Sequence, residues 1–231
     1  MALAFRTPNG VTTGTDNTGT GTNITVTKPS AVAAGDLLVV SIYHDTATIN
    51  TVPSGWTHVI SQLNTRASPD FYVRTYWKRA SSEGSSWTWV ASASVWWCAE
   101  CAAYTGGLAA GDPLDGTATA FTEDSFSDNV VDLPSITTTV DGSMLVAACG
   151  NFDGKSWVSG TSPVTNERAD GNGLCLYDGI KTSAGASGTI SISMNPGDGN
   201  SIAGTMLALK PAGGAPVLAA VQHTTHIDLS W

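Results

Sequence analysis

Charge is scarce in this sequence. Asp, Glu, Lys and Arg make up 13% of its 231 residues, about half the usual share. Basic residues are scarcer still: ten Lys and Arg stand against nineteen Asp and Glu, for a net charge of −9. That balance argues against a nucleic-acid partner, because phosphate contacts need a basic face. It argues equally against docking on anionic membranes. No stretch approaches the ~20 apolar residues of a membrane span. The start, MALAFRTPNG, lacks the basic-then-apolar pattern of a signal peptide. The expectation is a protein made in a cytoplasm, with no membrane insertion. Strong helix formers are also thin on the ground, while Thr, Ser, Gly and Ala are plentiful. Short hydroxyl-rich strands joined by Gly, Asp and Asn turns suit that composition.

Cysteine is rare as well: Cys98, Cys101, Cys149 and Cys175. Cys98 and Cys101 form a CxxC inside WWCAECAAY. On a strand those two side chains point to opposite faces, about 10 Å apart along the chain. A disulfide needs Cα atoms within about 7 Å. Neither a redox pair nor half a zinc knuckle is expected, and four buried thiols are.

What the chain does have is alternation. Asp36–His44 is apolar on both faces and reads as a central strand. In Phe71–Arg79, Phe71, Val73, Thr75 and Trp77 share a predicted core face. Tyr72, Arg74, Tyr76 and Lys78 share a predicted solvent face. Ser86–Val90 and Val95–Tyr104 carry Trp87, Trp89, Trp96 and Trp97. Gly106–Asp128 reads as loop. Further strands are expected at Ser135–Val140, Ser143–Gly150, Val164–Arg168, Leu174–Lys181, Gly188–Ser193 and Ile202–Lys210.

These segments echo one another. AAGDLLVVSIYHD (33–45) resembles VDGSMLVAACGNFDG (140–154), YWKRASSEGSSWTWV (76–90) resembles GIKTSAGASGTISI (179–192), and AECAAYTG (99–106) resembles TMLALKPA (205–212). The predicted fold class is therefore all-β: a two-sheet antiparallel, jelly-roll-like sandwich built from two similar halves. The expected organisation is a first strand and flexible arm over 1–23 and a sandwich over 24–210, with halves at about 24–106 and 135–210. A linker at 211–216 and a C-terminal extension at 217–231 follow.

The chemistry searched for leaves few candidates. Tyr43-His44-Asp45 cannot converge as a triad on one strand, and His44 reads as a surface or strand-end residue. Glu100 is the one acid inside an apolar strand, and a cross-strand ion pair with Arg74 or Lys78 is the structural expectation. His223 and His226 fall on opposite strand faces, so zinc is not expected. Glu123–Asp128, Asp170-Gly171-Asn172 and Asp198-Gly199-Asn200 offer oxygens for calcium, but turn chemistry explains them and no metal site or cofactor is assigned. The remaining candidates are aromatic: Tyr72, Arg74, Tyr76, Trp96 and Trp97 could form a glycan or protein interface. Of the adjacent Trp96 and Trp97, one should face in and one out.

Several phrases carry a resemblance: ITVTKPSAVAAGDLLVVSI (24–42), VPSGWTHV (52–59) and YVRTYWKRASSEGSSWTWVASASVWWCAECAAYTG (72–106). They resemble virion structural proteins of tailed bacteriophages, of the minor tail or capsid-surface decoration type found in phages of actinobacteria. The C-terminal VLAAVQHTTHIDLSW (217–231) resembles the opening of a fibronectin type III domain. The resemblance implies a non-enzymatic structural protein of the virion, made in the host cytoplasm and released by lysis. Its implied partners are other virion proteins, copies of itself and a host-surface glycan. The alternative is a carbohydrate-binding module that uses its aromatic-rich hairpin.

Overall fold

Strands alone build the described part of this chain, with no helix among them. The structure, a computed structural model, describes residues 2–7, 10–12, 18–67, 69–123, 129–195 and 201–213. Several expectations lie outside the described residues: the arm at 13–17, the acidic residues 124–128, Asp198-Gly199-Asn200, and the fibronectin-like tail with His223 and His226.

The first half holds β1 (Ala4–Phe5), β2 (Val11–Thr12), β3 (Thr18–Thr27), β4 (Leu37–Asp45), β5 (Ile49–Thr51), β6 (Thr57–Asn64), β7 (Phe71–Arg79) and β8 (Ser86–Thr105). The second holds β9 (Thr119–Glu123), β10 (Val130–Leu133), β11 (Thr137–Thr138), β12 (Ser143–Asn151), β13 (Trp157–Gly160), β14 (Asn166–Gly171), β15 (Leu174–Lys181), β16 (Gly185–Ala186), β17 (Ile190–Met194) and β18 (Ile202–Leu209).

The echo in the sequence is an echo in the topology. The order β8-β4-β7-β6 in one sheet is repeated as β18-β12-β15-β14 in the other. Leu37 lies opposite Arg79 on one side and Tyr104 on the other. Met144 lies opposite Ile180 and Leu209 in the same way. β3 and β5 pair with the first part of β8, as β10 and β13 pair with β17. One difference between the halves lies in a connection. β8 runs unbroken through a bend, whereas the second half divides the matching stretch between β17 and β18.

Alternation decides what each sheet buries. Odd residues of β4 and even residues of β8 face the other half. Leu37, Val39, Ala102 and Tyr104 pack there against Met144, Val146, Leu176 and Leu207. Further along, Tyr43, Val73 and Cys98 pack against Ala148, Leu174 and Ala203. The starts of β4 and β12 thus meet in one cluster and their ends in the next, so the two strands run the same way. Gly150 permits this approach. A Cβ there would come within 2.8 Å of Val73 Cγ2 and 3.0 Å of Tyr43 Cδ2, closer than packed carbons allow.

Each sheet also has a second buried face, which the sequence reading missed for β7. The bend in β8 curls the first sheet over itself, and Ile24, Val40, Tyr76, Trp87, Trp89 and Trp97 fill its concavity. Tyr76, expected in solvent, is therefore buried. In the second half, β10, β17 and β13 form a separate cover whose Val131, Leu133, Ile190 and Ile192 pack on Leu145, Cys149 and Tyr177. Cys98 and Cys101 take opposite faces as expected, and all four cysteines are buried free thiols. The expected loop at Gly106–Asp128 instead contains β9, which extends the second sheet beside β18. Earlier in that segment, buried Asp115 accepts hydrogen bonds from Thr139, Val140 and Ser143. The expected strand at Ser135–Val140 gives way to β10 and the short β11 on either side of Pro134, a residue that cannot donate to a ladder.

Candidate functional site

Where β4 and β12 end side by side, the two sheets part and leave a cleft of about 380 Å³. The first half supplies Tyr43, Asp45, Pro69 and Trp96, and the second supplies Phe152, Asp153, Gly154 and Asn172. The equivalent positions in the two halves differ in size. Register places Gly150 where the first half has Tyr43, and Ser201 where it has Trp96. Of these, Tyr43 packs directly on Gly150 across the join.

The rings are fixed by their neighbours. Tyr43 stacks on Phe71 with centroids 4.5 Å apart and planes at 20°. Trp96 meets Tyr43 edge to face, at 5.3 Å and 78°. The Trp96 backbone N–H donates to Asp45 Oδ2 at 3.0 Å, which holds that carboxylate at the rim. Burial, with help from Asp45, Cys98 and Asp153, pushes the Tyr43 phenol well above its ordinary range. It enters the cleft as a neutral hydroxyl.

The opposite wall is a loop held by its own polar groups. Asn151 Nδ2 donates to Lys155 O at 2.8 Å, and Lys155 N–H donates back to Asn151 Oδ1 at 2.7 Å. The Asn151 N–H donates to Gly173 O, tying this loop to the β14–β15 turn. Asn172 in that turn is left-handed, with φ of 50°, a conformation Asn tolerates better than most residues. Its carbonyl accepts from the Cys98 thiol at 3.4 Å. These ties leave Phe152 38% and Trp96 36% exposed. Such large apolar surfaces in water are the informative exception in a folded chain.

The predicted site residues scatter across this geometry. Trp96 reaches the cleft, while Trp97 turns into the concave core and is buried. Tyr72 and Arg74 are half-buried on that concave side. The Arg74 guanidinium lies 4.1 Å over the Tyr72 ring and its Nε donates to His44 Nε2 at 2.9 Å. His44 Nδ1 is 2.6 Å from Asp45 O. A carbonyl only accepts and a guanidinium only donates, so Nδ1 carries the proton. His44 stands at the end of β4, one residue before its last, and is fully buried there rather than at the surface. Burial, opposed by the Asp45 carbonyl and aided by Arg74, lowers its pKa to about 4.

Glu100 lies on the face of the sheet opposite the two cations named for it. It shares the face toward the second half with Ser41, its register partner. Arg74 and Lys78 lie on the reverse face, and Lys78 pairs with Glu83 at 2.8 Å. Glu100 instead adjoins a buried polar seam in which Ser41, Thr75 and Thr205 hydroxyls link at 3.1 and 2.7 Å.

Sequence reasoning missed Tyr43, Asp45, Phe152, Asp153 and Asn172. A signal was present: the two echoing segments carry Tyr-His-Asp at 43–45 and Asn-Phe-Asp at 151–153 near their ends, and equivalent strand ends in packed sheets lie together. Chemically, the cleft offers one large aromatic face, a neutral phenol and two carboxylates. Among the described residues no Ser, Cys, His or Lys lines it, and no three His, Cys, Asp or Glu side chains gather as a metal requires. No protein-family model matches the chain, and no curated protein matches it.

Proposed function

We propose that this chain is a structural component of a tailed-phage virion, a minor tail or capsid-surface protein, which presents its end cleft outward as an adhesive surface. The observation that carries the reading is the pair of exposed rings, Trp96 and Phe152, held at the mouth of a rigid double-sheet scaffold. Exposed aromatics on a fixed frame suit recognition, and preorganised rings lose little freedom on binding. The resemblance of residues 24–106 to virion proteins supports the setting. The low-charge, acidic composition suits a particle surface that stays wet. Docking on other virion proteins and on copies of itself completes the reading.

The second reading, a free-standing carbohydrate-binding module, draws on the same cleft. Peptide mass spectrometry of purified virions, with antibody labelling in electron microscopy, separates the two. The virion reading expects stoichiometric copies on the particle and slower adsorption when an antibody covers the cleft. Absence from purified virions contradicts it and favours the free module.

A further inference from the structure

We propose that Cys149 and Cys175 are a disulfide site: two free thiols in a reducing compartment, joined across the sheet in an oxidising one. The inference is independent of the virion reading. It concerns the frame that holds one wall of the cleft, not the ligand.

The register brings the pair together. β12 and β15 run antiparallel with Cys149 directly opposite Cys175. Directly opposed residues have Cα atoms about 4.5–5.5 Å apart, inside the window of about 4.4–6.8 Å that a disulfide spans. Both side chains take the same face and lie buried beneath the three-stranded cover. On its other side Cys149 faces Gly204, where a Cβ would stand only 3.0 Å from Cys149 Sγ. The absent side chain leaves that thiol room to change rotamer toward its partner. Neither of the other two cysteines faces a cysteine. Cys98 lies opposite Thr18 and Tyr43, and Cys101 opposite Thr12 and Val40.

The step is exchange with a small-molecule disulfide such as oxidised glutathione. One cysteine, as its thiolate, attacks a sulfur of the reagent. The reagent's S–S bond breaks and one reduced thiol leaves. The second cysteine, deprotonated in turn, attacks the mixed disulfide and expels the other half of the reagent as a thiol. Two cysteines are oxidised, one reagent disulfide is reduced to two thiols, and those thiols carry away the two protons. Burial, with the neighbouring Cys149, pushes the Cys175 thiol well above its ordinary range. Exchange therefore waits on local opening of the cover and is slow. The bridge matters for the cleft. Asn151, which holds the Phe152–Gly154 loop, follows just after Cys149, and Asn172 comes just before Cys175. A covalent link braces both segments at their roots and adds to the hydrogen bond from Asn151 N–H to Gly173 O.

The test starts from the full chain purified under reductant and moved into oxidised glutathione, alone and with urea below the unfolding transition to speed opening of the cover. Remaining thiols are alkylated after unfolding, and the peptides are mapped by mass spectrometry. The expected result is an intramolecular link between Cys149 and Cys175, with Cys98 and Cys101 alkylated. The oxidised chain should melt several degrees above the reduced one, and reductant should reverse the gain. Hydrogen exchange at 151–155 and 172–174 should slow on oxidation. Cys175→Ala should lose both the link and the redox dependence of melting. Three outcomes overturn the proposal: all four thiols stay alkylatable, glutathione adducts accumulate in place of the link, or the link lowers the melting temperature. The wild-type map decides the matter even where Cys175→Ala folds poorly.

Discussion

Tyr43 and Gly150 hold the same place in the repeated sheet, and so do Trp96 and Ser201, His44 and Asn151. The first half fills with rings. Trp56, Trp87 and Trp89 interlock at 5.1 and 5.3 Å inside its curl. The second half has no Trp on its sheet and buries its outer face under a separate three-stranded cover. The comparison teaches that one topology supports two jobs when side-chain size is distributed unevenly. Strand order sets where the sheets meet, and pairing a large ring with a glycine lets them meet closely.

Substitutions that erase the mismatch probe it most strongly. Tyr43→Ala makes the first half resemble the second and leaves a void against Phe71 and Gly150. It should cost about 4 kcal/mol, read as a lower urea midpoint with unchanged slope.

The His44–Asn151 difference predicts a pH dependence at this position that the second half lacks. The buried His44 has a pKa of about 4, below its unfolded value of about 6.5. The unfolded chain therefore binds more protons between those limits. Stability is full above about 6.5 and falls by up to roughly 3 kcal/mol as pH drops toward 4. His44→Asn, which borrows the second half's residue, should flatten that slope in denaturation series across the window. Glu83 acts lower. Burial opposes its ionisation, but Lys78, Ser81 and Trp87 outweigh it and hold the pKa at about 2. Its contribution is lost only as pH falls from about 4.5 toward 2, so the two groups are separable.

The reverse exchange is smaller. Gly150→Val drives carbon into Val73 and Tyr43 and should cost about 2 kcal/mol, measured by the same denaturation. Smallest is Trp96→Ala, whose ring is already part-exposed. Its stability should shift by about 0.5 kcal/mol or less, with the loss appearing in binding instead.

Much of this fold was legible in the sequence. Phe71–Arg79 and Leu174–Lys181 match their strands residue for residue, because alternating residues bounded by turns specify a strand locally. The opposed faces of Cys98 and Cys101 followed from the same period. What alternation could not show is which faces a neighbour covers. Tyr76 looked solvent-facing because nothing local marks the bend in β8 that closes over it. Arg74 and Lys78 were matched to Glu100 as the cations on the aromatic-basic face of Phe71–Arg79, yet the registers put them behind the sheet. The cleft was legible only in its parts. Asp45 and Asp153 stand 108 positions apart and come together only once the two echoing strands pack in the same direction.

The central claim is that both halves jointly build one recognition cleft. Hydrogen exchange read by mass spectrometry, with and without a saturating host-surface oligosaccharide, tests it most directly. The account predicts slowed exchange at 43–45 and 96–98 together with 151–155 and 172–174, and little change elsewhere. Protection confined to one half, or centred on the concave side around Tyr72 and Arg74, would contradict it.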